Sequence, residues 1–332
     1  MGLMVDQIEA VPRTPPTDRR ALAAHKAAQL YYMQDMTMEA IAAELAVSRS
    51  SVSRLLSHAR DIGIVDIRIT SPLEGGVSLE RELRSRFRVA AHVVPMPASV
   101  SEIERLERVA ITAARLLTQF VDSNMTVGIA WGSTLSAISR HLPAKELHDV
   151  TVVQLNGAGN VQTTGIEYAS EIMQRFGAAF GARVQQFPVP AFFDDPATRE
   201  AMWRERSTRR VLEMQARMDL AVFGVGSPAA DVPSRVYAGG YLDRADYTSL
   251  AEDRAIGDVA TVFFRADGSW RDIRLNARTT GPGLDRLRRV PRRICIAAGV
   301  HKAASLRAAM AAGLVTDVVM DQGLAREVVE LG

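Results

Sequence analysis

Three glycine-containing loops in the sequence each follow an apolar run that is typical of a β-strand. They are WGST (131–134) after TVGIA, QLNGAGN (154–160) after VTVV, and FGVGS (223–227) after DLAV. A strand, a glycine turn and a helix start expose backbone N–H groups that can hold an anion. One such loop is more often only a tight turn. Three of them beyond the carboxyl ends of strands favour a small-molecule site.

Side chains in and near these loops could bind the same molecule. The hydroxyl groups of Ser133 and Thr134 can bind an anion, and the amide of Asn156 can bind hydroxyl groups. Asp258, in AIGDV, could accept hydrogen bonds from a sugar, although an exposed turn residue is an equal alternative. Lys302, which follows the glycine loop AAGVHK, could pair with a phosphate or carboxylate, or be solvated. The predicted ligand contacts are Gly132, Ser133, Thr134, Asn156, Gly157, Gly224, Gly226, Asp258 and Lys302.

A second motif, MEAIAAELAVSRSSVSRLL (38–56), has the spacing of a helix-turn-helix. Thr37 is a suitable N-cap for a first helix, and Ser48 for a second helix after a three-residue turn. Apolar residues at helical spacing form the inner faces, namely Ile41, Ala42 and Leu45, then Val52, Leu55 and Leu56. This pattern predicts two crossing helices, of which the second lies in the DNA major groove.

The outer face of the second helix carries groups that can contact DNA. Residues 48–60 contain three arginines and one histidine and no acidic residue. Arginine can bind guanine with two hydrogen bonds, and serine can bind bases or phosphates. The alternative is an amphipathic hairpin with a solvated basic face. Ala46 stands where glycine is usual, at a cost of about 1 kcal/mol if its backbone is left-handed. The predicted DNA contacts are Thr37, Ser48, Arg49, Ser50, Ser51, Ser53, Arg54 and His58.

Bulk properties limit the class of protein. A chain of 332 residues is long enough for two domains, and its net charge of +2 does not by itself indicate a nucleic-acid binder. It has no apolar run near the roughly 20 residues that span a bilayer, and its first 16 residues lack a secretion signal. Cys295 is the single cysteine and is interpreted as core filler. We expect a cytoplasmic protein with no cofactor, no metal site and no membrane contact.

The elements that position these motifs form two domains in the prediction. Residues 1–17, rich in proline and small polar residues, are expected to be a disordered tail, and 18–69 a helix-turn-helix domain. Residues 70–76 (TSPLEGG) are expected to be a linker. Residues 77–332 alternate helical patterns with short apolar runs, which predicts an α/β domain. Those runs are AAHVV, TVGIA, VTVVQL, DLAVFGV, TVFF, RICIAA and TDVVM.

Longer segments of the sequence resemble those of a known protein family. The run YYMQDMTMEAIAAELAVSRSSVSRLLSHARDIGIVDIRI resembles the amino-terminal region of the SorC family of sugar-binding transcriptional regulators. Further segments that match are GIAWGSTL, QLNGAG, PVPAFFDD, AVFGVGS, AIGDVATVFFRADG, LNAR and AAGVHKAASLRAAMAAGLVTDVVMDQGLA. The resemblance implies a carboxy-terminal domain similar to sugar-phosphate isomerases and glucosamine-phosphate deaminases, and it favours a ligand role for Lys302. Asn276 and Arg278 lie in the matching LNAR motif, with their role left open.

These patterns predict a DNA-binding transcription regulator whose C-terminal domain senses a sugar, polyol or sugar phosphate. The alternative is a sugar-phosphate isomerase or deaminase that carries a DNA-binding module. Such an enzyme needs a carboxylate base and usually a second acid/base group, and none of His92, His148 and His301 is a convincing partner for Asp258. We therefore expect a sensor without catalysis. A lone helix-turn-helix contacts few base pairs, so at least a dimer is expected, and the resemblance suggests a tetramer.

Overall fold

The computed structural model describes residues 16–65, 75–97, 99–228 and 234–331. The chain divides into two compact units, Met1–Pro72 and Leu73–Gly332. Each unit has its own apolar core, and we describe them separately.

Within residues 16–65, the N-terminal unit contains three helices, α1 (Pro16–Tyr32), α2 (Met38–Glu44) and α3 (Arg49–Asp61). Their shared core is made largely of small residues of α1 packed on branched residues of the other two helices. The buried members are Ala24, Ala27, Ala28, Leu30, Ile41, Val52, Leu56 and Ala59. Leu22, on the same helix α1, is 63% exposed.

Two predicted boundaries are corrected at the ends of this unit. Helix α1 begins at Pro16, so the last two residues of the predicted 1–17 tail are helical. Proline suits a first helical turn because it has no N–H group to leave unbonded. At the other end, the first helix of the second unit begins at Gly75, inside the predicted 70–76 linker. Residues 1–15 of the tail and 70–74 of the linker lie outside the described residues.

The C-terminal unit alternates strands and helices. In chain order it contains α4 (Gly75–Phe87), β1 (Ala90–Val94), α5 (Glu102–Phe120), β2 (Thr126–Ile129), α6 (Ser133–Ser139), β3 (Thr151–Gln154), α7 (Ile166–Phe180), β4 (Arg183–Gln185), α8 (Pro196–Arg204), α9 (Arg206–Gln215), β5 (Leu220–Gly224), α10 (Arg235–Ala238), α11 (Arg244–Glu252), β6 (Ala255–Val259), β7 (Val262–Arg265), α12 (Leu284–Leu287), β8 (Arg292–Ala297), α13 (Ala303–Ala311), β9 (Asp317–Asp321) and α14 (Gln322–Glu330). Short 3₁₀ helices span Arg274–Ala277 and Val300–Lys302.

Seven of these strands form one parallel sheet in the order β1-β9-β8-β5-β2-β3-β4. The apolar runs predicted as strands supply six of the seven. The seventh, β4, has three residues without an apolar run, so periodicity could not detect it. The TVFF run was interpreted as part of the same alternation, but β7 pairs only with β6 in a separate antiparallel hairpin.

The strand order places a topological switch beside β2. From β2 the chain moves outward through β3 to β4, and from β5 it moves the other way through β8 to β9. Loops that follow β2 and β5 therefore diverge at their carboxyl ends and leave a crevice between them, which is where open α/β sheets bind ligands. In the described part of the chain, no helix combines the length and the apolar character needed to cross a membrane.

Candidate functional site

A cavity lies in this crevice, at the carboxyl ends of β2, β3, β5 and β8. Eight of the nine residues predicted to contact a ligand line it, namely Gly132, Ser133, Thr134, Asn156, Gly224, Gly226, Asp258 and Lys302. They come from four different loops and from the β6–β7 hairpin. The fold thus brings together residues that are up to 170 positions apart in the sequence (from 132 to 302).

Gly157 is the exception and does not line the cavity. A Cβ atom at this position would lie 2.2 Å from the carbonyl oxygens of both Val189 and Pro190. Its N–H donates to the Thr280 hydroxyl (3.0 Å), and its carbonyl accepts from the Trp131 indole (2.8 Å). Glycine is required here because two backbones meet, so the predicted ligand contact is replaced by a packing role.

Asp258 is held against the backbone of the loop after β5. Its N–H and carbonyl exchange hydrogen bonds with Gly226 (3.3 and 2.9 Å). A Cβ atom on Gly226 would lie 1.9 Å from the Asp258 carboxylate. The glycine therefore lets a buried carboxylate approach the loop closely, and this hairpin brings the carboxylate into the cavity wall.

Burial raises the pKa of the Asp258 carboxyl group to about 6. The side chain is only 4% exposed, and removal from water disfavours its charged form. The Thr261 N–H, at 3.1 Å from Oδ2, the Tyr237 hydroxyl and the Lys302 ammonium act in the opposite direction. The exposed turn residue considered from the sequence is thus replaced by a buried acid that faces a cation.

Lys302 provides a cation in the same cavity. It is the last residue of the 3₁₀ helix after β8, and burial of its ammonium group lowers its pKa. Asp258, Glu102 and Asp321 act in the opposite direction because negative charges favour the protonated amine. Among the described residues, the ammonium group has no hydrogen bond and no ion pair within 4 Å. A cation in this state is suited to an anionic ligand.

Three buried polar atoms of the cavity wall have no hydrogen-bond partner among the described residues. They are Asn156 Oδ1, Ser234 Oγ and Asp258 Oδ1. Leaving such groups unbonded costs about 1–3 kcal/mol each, so native proteins seldom do it without a reason. Asn156 Oδ1 accepts hydrogen bonds but cannot donate them, and the same holds for Asp258 Oδ1 when its carboxyl group is ionised. Such acceptors suit the hydroxyl groups of a sugar or polyol.

Part of the cavity wall consists of residues that were not predicted from the sequence. Ser234 and Arg235 enter the cavity from the start of α10, and Thr261 enters from the turn between β6 and β7. The Arg235 guanidinium also lies 3.8 Å from the centroid of the Tyr168 ring. None of these residues follows a glycine loop, so no local signal marked them.

A second cavity lies between residues 158–164 and 186–190. Its volume is about 530 Å³, whereas the cavity that contains Asp258 and Lys302 has a volume of about 50 Å³. The described residues that line it include no charged side chain. We place the candidate site in the smaller cavity, because the cation, the buried acid and the unbonded polar atoms are all there.

The LNAR motif contributes to folding of the C-terminal unit. The Asn276 amide bonds both backbone groups of Phe263 (2.8 and 2.9 Å) and so ties its 3₁₀ helix to β7. Arg278 forms an ion pair with the buried Asp246 and donates to the Phe193 carbonyl (3.2 Å). The role that the sequence left open is therefore structural in both cases.

The helix-turn-helix has the predicted geometry. The side chains of Thr37 and Ser48 cap α2 and α3 by accepting from Ala40 and Ser51 (both 3.2 Å). Ala46 has φ +51°, the left-handed conformation considered for this turn. Ile41, Val52 and Leu56 are buried, whereas Ala42, Leu45 and Leu55 are half-buried at the edge.

The outer face of α3 presents the side chains predicted to contact DNA. Arg49, Ser50, Ser53 and Arg54 are exposed, and Ser51 and His58 are half-buried. Arg49 forms an exposed ion pair with Glu39 (2.9 Å), and Arg54 bonds the Ser50 carbonyl and the Ser51 hydroxyl (both 3.4 Å). Exposed pairs of this kind contribute about 0–1 kcal/mol, so both arginines can exchange them for other partners.

A helix-turn-helix unit joined to an α/β unit with a polar cavity defines a ligand-responsive DNA-binding protein as the class. Comparison with known proteins gives the family. Residues 71–330 match the family model described as "Putative sugar-binding domain". The deoxyribonucleoside regulator of Bacillus subtilis (strain 168) is 31% identical over 307 residues, which cover 92% of this chain and 96% of that protein. The sorbitol operon regulator of Klebsiella pneumoniae is 26% identical over 286 residues, which cover 86% and 90%.

Solved structures agree with this assignment. A domain of a possible sugar-binding transcriptional regulator from Arthrobacter aurescens TC1 is 56% identical, with a TM-score of 0.73, and covers 78% of this chain and all of its own (100%). The full-length sorbitol operon regulator SorC from Klebsiella pneumoniae is 25% identical, with a TM-score of 0.70, and covers 94% of this chain and 99% of its own. The chain belongs to the SorC family of sugar-binding transcriptional regulators, as its motifs predict.

Proposed function

We propose that this regulator binds a phosphorylated sugar or polyol in the cavity beside β2 and β5, and that binding changes its affinity for operator DNA. Lys302, Ser133 and Thr134 bind the phosphate, and Asn156, Ser234 and Asp258 bind hydroxyl groups. One observation carries the proposal: one small cavity holds an ammonium group and three buried polar atoms that have no partner in the described part of the chain. Phosphate and hydroxyl groups would satisfy both.

We further propose that this regulator senses its ligand without converting it, and that its C-terminal domain is similar to sugar-phosphate isomerases and deaminases. Asp258 has the raised pKa that a general acid or base needs. No histidine is among the described residues that line the cavity, and we assign Lys302, the other group there that could transfer a proton, to phosphate binding. Conversion of a sugar phosphate by the purified protein would support the enzyme alternative.

The mechanism in this proposal is linkage between two binding events. The effector binds one conformation of the protein better and the operator another, so the two affinities are coupled by about 1–3 kcal/mol. The same proposal includes assembly to at least a dimer, because two helix-turn-helix units can then bind two DNA half-sites. It also includes a location in the cytoplasm.

Thermal-shift measurements of the full chain test the ligand class. The panel pairs ribose, fructose, glucose and sorbitol with their terminal monophosphates. We expect at least one phosphorylated member to raise the melting temperature at a concentration where its parent does not, because a ligand that binds only the folded state stabilises it by RT ln(1 + [L]/Kd). Equal shifts for every pair, or stabilisation by the parent sugars alone, would contradict a phosphate site.

Alanine at Arg49 or Arg54 tests the DNA-binding face. Each change is expected to weaken binding to a promoter fragment by about 1–3 kcal/mol, because each removes a guanidinium from the exposed face of α3. Gel-shift titration gives the affinities. Lys26→Ala is the matched control, since it removes an exposed positive charge from α1 of the same unit. The assignment fails if the two arginine variants bind as the control does.

A further inference from the structure

A buried carboxylate, Asp321, lies where three segments of the C-terminal unit meet: the end of β9, the first turn of α5 and the loop after β8. Its side chain has no solvent exposure. It accepts hydrogen bonds from the N–H groups of Gly299 (2.8 Å) and Leu324 (3.1 Å) and from the Arg105 guanidinium (2.9 Å). A buried carboxylate needs several such donors to offset its desolvation. These contacts tie the three segments together.

Arg105 extends the same cluster through the other arms of its guanidinium group. Its Nε donates to Glu102 (3.1 Å) and its Nη2 to the carbonyl of Val100 (3.3 Å), and the side chain is only 12% exposed. A planar guanidinium can donate in three directions from one position, which an ammonium group on a flexible stem cannot reproduce. The position of Arg105 is therefore defined by three separate acceptors.

The cluster fixes the backbone from which Lys302 projects. Gly299 has φ +93°, and a Cβ atom there would lie 2.5 Å from the Glu102 carboxylate, so the loop is in contact with the cluster. The Lys302 N–H donates to the Gly299 carbonyl (3.2 Å) and closes the short turn that carries the lysine. None of Glu102, Arg105 and Asp321 lines the cavity. Apart from the electrostatic effect of Glu102 and Asp321 on the Lys302 ammonium group, their influence on a ligand therefore passes through the loop.

We propose that Glu102, Arg105 and Asp321 are positioning residues for the anion site, because they hold residues 299–302 so that the Lys302 ammonium faces the ligand. This inference rests on the proposed function, since it requires Lys302 to bind a phosphate. It adds that the first turns of α5 and α14, which supply Arg105 and Leu324, hold the lysine-bearing loop in place.

The test is a double-mutant cycle in the full chain, with inorganic phosphate as the probe and its dissociation constant measured by ³¹P NMR line broadening. We expect Arg105→Ala to weaken phosphate binding about tenfold, by analogy with the loss of residues that orient a metal ligand. In a Lys302→Ala background the same change should have almost no effect, because the group that it positions is gone. Arg105→Lys should also weaken binding, because it keeps the charge without the three contacts.

Arg108→Ala is the matched control. Arg108 lies on the same helix and pairs with Glu104 on the exposed surface (2.7 Å), away from the loop, so phosphate binding should be unchanged. If Arg105→Ala proves poorly folded, Glu102→Ala removes the acceptor of the Nε hydrogen bond at a partly exposed position and is expected to give the same pattern with a smaller loss.

The outcomes separate the inference from the function on which it rests. No phosphate binding by the unmodified chain, or no loss in Lys302→Ala, overturns both. A loss in Lys302→Ala with normal binding in the Arg105 variants overturns the positioning role alone. Equal losses from Arg105→Ala in both backgrounds would also overturn it, since they indicate a general structural or electrostatic effect.

Discussion

Lys302→Ala is expected to weaken binding of a phosphorylated effector by about 1.5–3 kcal/mol, or roughly 10- to 150-fold, and to change binding of the unphosphorylated parent only slightly. The reason is that the ammonium group has no ion pair among the described residues, so a phosphate would be its main partner in the cavity. Calorimetry with the panel member that gives the largest thermal shift, and with its parent, measures both affinities.

Two controls complete this experiment. Lys26→Ala removes the same charge from the N-terminal unit and should leave both affinities unchanged. Operator affinity of Lys302→Ala without effector should also remain near that of the unmodified chain. Equal losses for both ligand forms would indicate a hydroxyl or carboxylate contact instead, and no loss for either would leave Lys302 without a ligand role.

Asp258→Asn is expected to stabilise the folded protein at pH 7 by up to about 3 kcal/mol while it weakens effector binding. The pKa of this carboxyl is about 6 in the folded chain against 3.8 for an ordinary aspartate, a difference of about 2.2 units. At 1.36 kcal/mol per unit, ionised Asp258 costs the folded state about 3 kcal/mol. The neutral amide removes that cost, but it also removes a charged acceptor for sugar hydroxyl groups.

The sign of the pH dependence follows from the same shift. A carboxyl whose pKa is raised by folding takes up a proton on folding between pH 4 and 6. Its contribution to stability is therefore most favourable below about pH 4, is lost as the pH rises through about 6, and is constant above that. Denaturant unfolding at several pH values should show this loss in the unmodified chain and a smaller loss in Asp258→Asn.

Asp246→Asn is the contrasting control, because Asp246 is equally buried but fully partnered. It forms an ion pair with Arg278 and a capping box with Asp243 at the start of α11, so its replacement should lower stability. If Asp258→Asn destabilises the protein as Asp246→Asn does, Asp258 is a structural acid rather than one that the cavity keeps for a ligand. A stabilised variant with unchanged effector affinity would remove Asp258 from the binding site.

Features whose physical cause is local could be predicted from the amino-acid sequence alone. The helix caps Thr37 and Ser48 and the glycine turn after β2 depend on backbone geometry over a few residues, and those residues were sufficient to predict them. Apolar runs predicted the longer strands of the sheet because burial on both faces needs continuous hydrophobicity. The resemblance to the family then favoured a ligand role for Lys302, which stays a prediction.

Which of these features share a site depends on packing between distant segments of the chain. Gly157 carries the same local signal as Gly132, yet the approach of residues 189–190 from another loop makes it a packing glycine. Asp258 reaches the cavity from a hairpin outside the main sheet, and Ser234 reaches it from the start of a four-residue helix. Their burial, the raised pKa of Asp258 and the contacts between Asp321 and the Lys302 loop all arise between segments distant in sequence. Strand order and long-range packing set such contacts, and hydrophobic periodicity carries no information about either.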